Sequence, residues 1–85
     1  MSARQVVVVE YELPPEAEQA PMARRIDRCL ALRSARWMRS YVTRDGRRAV
    51  CEFEAPDAES VRESFRMAGQ PFERAWVARL YVREA

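Results

Sequence analysis

At 85 residues the chain has room for one domain, spanning residues 1–85, and one modest core, and chains this short commonly gain stability by self-association. Hydrophobic residues (48%) and charged residues (33%) are mixed along the whole length, which excludes a disordered tract and a coiled coil. The net charge of +2 is small and the arginines alternate with Glu and Asp, so nucleic acid is not an expected partner; the absence of His also removes His-based catalytic triads and ordinary zinc sites.

The first element is a strand over residues 5–13, QVVVVEYEL, where β-branched residues follow one another until Pro14 and Pro15 stop the run. Residues 16–20 read as a short acidic connector. Pro21 suits the first helical position, and Met22, Ile26, Cys29, Leu30 and Arg33 then follow helical spacing, which predicts a helix over 20–33. Strands are expected over 35–43 and 48–54, joined at Asp45-Gly46, the strongest short hairpin signal. Asp57 is the expected N-cap of a second helix whose apolar stripe is Ala58, Val61, Phe65 and Ala68, ended by Gly69 and Pro71. Residues 72–82 form the last predicted strand. The order is βαββαβ, which implies an α+β, ferredoxin-like fold: a four-stranded antiparallel sheet, two helices on one face, and the first and third strands in the centre.

A two-residue turn at Asp45-Gly46 sets a register in which Tyr41 faces Val50, Arg39 faces Glu52 and Met38 faces Phe53. Met38, Ser40, Val42, Ala49, Cys51 and Phe53 then lie under the helices. Trp37, Arg39, Tyr41, Val50, Glu52 and Glu54 lie on the open face, joined by Val6, Val8, Glu10 and Glu12 of the first strand. Val77, Arg79 and Tyr81 are assigned to the same face from the last strand, which leaves Trp76, Ala78 and Leu80 for the core. A face of this kind is too apolar to lie bare in water and too charged to be a second core, so a face-to-face homodimer enclosing a cavity is expected. One arginine directly opposing several acids there predicts at least one poorly compensated carboxylate.

The stretch Arg36-Trp37, Arg39-Ser40-Tyr41 and Cys51-Glu52-Phe53-Glu54-Ala55-Pro56-Asp57, with Glu10, Leu13-Pro14 and Gly69, Pro71, Phe72, resembles a bacterial domain-of-unknown-function family, number 4242. The resemblance covers nearly the whole chain. It implies a ferredoxin-like subunit and a dimeric α/β barrel, with no agreed activity. The family includes an actinobacterial nickel-binding protein; its nickel-binding members look like they use histidines, and this chain has none.

The expected function is a homodimeric small-molecule-binding protein with its cavity on the open face, extending to a cofactor-free isomerase or cyclase of a biosynthetic pathway. Glu10 or Glu52 is the candidate acid/base, with Tyr41 donating to a ligand oxygen. Arg39, Trp37, Arg79 and Tyr81 are candidate substrate contacts. The alternatives are a divalent-metal (nickel) protein using Glu10, Glu12, Glu52 and Glu54, although carboxylate-only sites favour harder ions, and a purely structural dimer. No cofactor is implied. RNA binding is disfavoured because Val50, Glu52 and Glu54 occupy a central strand where stacking aromatics are needed. Cys29 and Cys51 are expected to be free core thiols. No leader and no apolar run of membrane-spanning length is visible, so a cytoplasmic location away from membranes is the expectation.

Overall fold

Each segment with a strong local signal forms its element. The computed structural model describes residues 4–84. β1 (Gln5–Glu12) leads to α1 (Glu16–Leu32), then β2 (Arg36–Val42), β3 (Arg48–Ala55), α2 (Ala58–Ala68) and β4 (Arg74–Ala78). The strands pair antiparallel in the order β2-β3-β1-β4, with β1 and β3 central. The fold is ferredoxin-like α+β. Among the described residues no helix is long and apolar enough to cross a membrane.

α2 follows its capping chemistry. The Asp57 carboxylate accepts from the Ser60 N–H and from the Ser60 hydroxyl, both at 2.7 Å. Gly69 closes the helix at φ 82°, a left-handed conformation open to glycine at little cost. Ala58, Val61, Phe65 and Ala68 are all buried, as their spacing predicts. Phe65 is the centre of an aromatic cluster, with ring centroids 5.1 Å from Tyr11, 5.6 Å from Phe53 and 5.9 Å from Phe72.

α1 starts earlier than its spacing predicts. The segment read as an acidic connector is its first turn, and Pro21 lies inside the helix. Pro15 takes the N-cap position, the Glu18 N–H closes on the Pro15 carbonyl at 2.7 Å, and Glu16 and Glu18 sit where the helix dipole favours negative charge. Pro21 has no N–H to offer the carbonyl of Ala17, an exposed residue. Ile26 and Leu30 are buried, while Met22 and Cys29 pack at the margin of the core.

The hairpin keeps its expected register from Arg39 to Val42, so Arg39 pairs with Glu52 and Tyr41 with Val50. The loop itself is wider than the expected two residues. The Gly46 N–H donates to the Thr43 carbonyl at 2.8 Å, Gly46 lies at φ 72°, and the Thr43 N–H closes the loop on the Arg48 carbonyl. Nearer the start of β2 the register shifts. Trp37, not Met38, pairs with Phe53, and Met38 is the extra residue of a bulge. The bulge turns Trp37 from the open face to the helix side, where its ring lies 5.3 Å from Phe53. Met38 is left exposed rather than buried.

β4 also runs in the opposite parity to the expected one. Trp76 pairs with Val8 and Arg74 with Glu10 on the open face, whereas Ala75 and Val77 pair with Val9 and Val7 on the helix side. The strand ends at Ala78, so Leu80 is not in the core, and Arg79 and Tyr81 lie beyond the strand. A one-residue slip inverts a whole strand in this way.

Candidate functional site

Two cross-strand rows build the open face. One runs Arg39, Glu52, Val8, Trp76; the next runs Tyr41, Val50, Glu10, Arg74. The Arg39 Nε lies 3.1 Å from a Glu52 oxygen, and the Glu52 side chain is only 16% exposed. Glu10 accepts a hydrogen bond from the Trp76 indole N–H at 3.0 Å and lies 3.6 Å from the Arg74 guanidinium. That guanidinium stacks over the Trp76 ring at 5.7 Å, a cation–π contact that fixes both partners beside the acid. Glu54 sits between Arg4 and Arg36, at 3.3 and 3.4 Å. Around these pairs Tyr41, Val50 and Trp76 leave large apolar surfaces exposed.

The sheet therefore places Glu10, Glu52, Tyr41 and Arg39 on one face, as expected. It does not bring Trp37, Arg79 or Tyr81 to that face. Trp37 belongs to the helix side, and the Arg79 guanidinium covers the ring of its own neighbour Tyr81 at 5.5 Å. Arg74, assigned to no face by the sequence, stands on the open face as a second cation and pairs with Glu10. Trp76, expected in the core, and Arg74, expected on neither face, complete the open face. Their signal was present: Ala75 between them is the small residue that fits beside the core, and choosing it for the helix side puts both neighbours on the open face.

The helix side holds a chain of polar contacts. The Trp37 indole N–H donates to the Ser40 hydroxyl at 2.8 Å, Ser40 Oγ lies 2.9 Å from Cys51 Sγ, and the Cys51 thiol donates to the Tyr11 phenol oxygen at 3.4 Å. Tyr11 and Cys51 are both buried. Burial pushes the Tyr11 pKa far above the ordinary phenol value, so Tyr11 stays a neutral hydroxyl.

Among the described residues, no three His, Cys, Asp or Glu side chains gather closely enough to hold a metal ion. Of the acids weighed as ion ligands, Glu10, Glu52 and Glu54 pair with arginines, whereas Glu12 is exposed and lies opposite Arg48, whose guanidinium is held by Glu73.

A family model described as nickel responsive protein SCO4226-like matches residues 8–77. No curated protein and no solved structure matches the chain.

Proposed function

Since the chain belongs to the SCO4226-like family of nickel responsive proteins, we propose for it the role of a homodimeric small-molecule-binding member whose ligand contacts lie on the open face of the sheet. One observation carries this reading: Tyr41, Val50 and Trp76 leave apolar surface exposed around two tethered ion pairs, Arg39–Glu52 and Arg74–Glu10. Water disfavours the first feature and a dry core disfavours the second. A second copy laid against the same face covers the aromatic surface and leaves the charged groups lining a shared cavity.

Within such a cavity Arg39 and Tyr41 would hold a ligand oxygen. Glu10 or Glu52 would take a proton from the carbon beside it and return it elsewhere on the same molecule. That is isomerase or cyclase chemistry needing no cofactor.

The family name attaches nickel response to its members. The donor set here does not fit a nickel site of the chain's own. There is no His, Cys51 is buried in a hydrogen-bonded chain, and the carboxylates are hard donors already tied to arginine. The reading therefore carries no metal step.

Native mass spectrometry tests it directly. Twice the chain mass with a retained organic molecule, released on denaturation, is the expected result. A monomer at micromolar concentration with nothing retained would sink the proposal. Glu10→Gln and Glu52→Gln should keep fold and dimer while one of them loses the ligand or its turnover.

A further inference from the structure

Between α1 and the β2 side of the sheet lies a cleft of about 430 Å3, open to solvent on one side, where Glu16, Ala20, Ser40 and Val42 are exposed; its volume is inside the span of roughly 300–1,000 Å3 typical of ligand sites. Its floor is the helix-facing row Val42, Ala49 and Tyr11, which the register sets side by side. Its roof is α1, where Ala20 and Ala23 face it. Larger side chains at Ala20, Ala23 and Ala49 would close the cleft, and the alanines leave it open.

The hydrogen-bonded chain along the floor leaves one hydrogen unused. Trp37, Ser40, Cys51 and Tyr11 each carry one donor hydrogen, and three contacts join them. With Trp37 donating to Ser40, Ser40 to Cys51 and Cys51 to Tyr11, the Tyr11 O–H has no acceptor among the described residues. Tyr11 is 2% exposed, so bulk water does not serve it, and it lines the cavity. A buried donor without a partner is unfavourable.

Charge narrows the occupant. The chain has 15 basic residues, all arginine, yet among the described residues none lines this cavity, and the one charged residue that does is Glu16, which is exposed. An anion has nothing to meet there. We propose that this cavity is a binding site for a small, neutral, mainly apolar molecule with one acceptor oxygen, such as a cyclic or aromatic ketone. The Tyr11 hydroxyl donates to that oxygen and the Trp37 ring forms a wall. The site is on the opposite side of the sheet from the open-face site and stands independently of it.

The test is an NMR titration of the full chain with acetophenone as probe and benzoate as its anionic counterpart. Acetophenone should shift the Trp37 indole N–H resonance saturably and leave that of Trp76 in place; benzoate should not. Tyr11→Phe should weaken binding by roughly 2- to 12-fold, the worth of one net hydrogen bond. Ala23→Leu, a conservative change on a helix that fills the cavity, should abolish binding without lowering the melting temperature. Trp76→Glu, on the open face, should leave acetophenone binding unchanged, which separates this site from the other. The proposal is overturned by no saturable shift, by a shift at Trp76 instead, by equal binding of benzoate, or by unchanged affinity in Tyr11→Phe or Ala23→Leu.

Discussion

Replacing Trp76 with Glu should break the open-face dimer, whereas the same change at the adjacent Val77 should not. Trp76 is 39% exposed, and with about 150–250 Å2 for a large aromatic side chain roughly 60–100 Å2 of it still faces water. At about 25 cal/mol per Å2 that surface is worth ~1.5–2.5 kcal/mol per protomer, or ~3–5 kcal/mol across a two-fold interface. The new carboxylate would also sit beside Glu10, which loses its indole donor. The dissociation constant should therefore rise roughly 100-fold or more. Val77 is more exposed still, at 48%, but belongs to the helix side of an edge strand, and Val77→Glu should leave association unchanged within about threefold. Sedimentation equilibrium over a range of concentrations reads both, with circular dichroism confirming the fold. Undiminished association in Trp76→Glu would refute the open-face interface. Disruption by Val77→Glu alone would refute the parity of β4.

Phe65→Ala removes the centre of the aromatic cluster and should cost about 3–5 kcal/mol in urea unfolding, a large part of the roughly 4–13 kcal/mol expected for a domain of this size; a loss below about 1 kcal/mol would mean that the cluster does not organise the core. Gly69→Ala meets no atom within 4 Å, so its cost comes from holding φ 82° alone, about 1–2 kcal/mol, and a neutral result would show the helix end rearranging. Asp57 has its pKa lowered from the ordinary 3.8, first by the Ser60 hydroxyl and then by the Ser60 N–H. A depressed carboxylate stabilises fully above its unfolded value and loses that contribution as pH falls through the lower folded value. Asp57→Ala should therefore melt below the native chain at neutral pH, with the gap closing as pH drops below 3.8; a gap constant to strong acid would contradict the cap. Calorimetry with nickel should show no sub-micromolar binding, and such binding lost in Glu10→Ala would restore a metal site.

The chain spelled out wherever the deciding physics is local. A β-branched run can only extend, Asp57 and Gly69 cap the helix between them, and Asp45-Gly46 turns the chain so that Arg39 must meet Glu52 and Tyr41 must meet Val50. The βαββαβ order then leaves few topologies, and alternation alone puts Glu10, Glu52, Tyr41 and Arg39, among others, on the open face. Two facing decisions were not local. Along β2 a single inserted residue, Met38, carries Trp37 across the sheet, and alternation cannot register an insertion whose reward is the packing of Trp37 on Phe53, distant in the chain. Along β4 either parity buries some apolar residues. Trp76 and Leu80 are the bulkier apolar pair, but the space beside Val9 admits Ala75, and Trp76 gains an acceptor in Glu10 that only the β1–β4 pairing supplies. The Tyr11 chain and its cavity have the same origin. Residues from three strands share one hydrogen too many, and the cleft beside them exists because α1 crosses the sheet with alanines facing alanine.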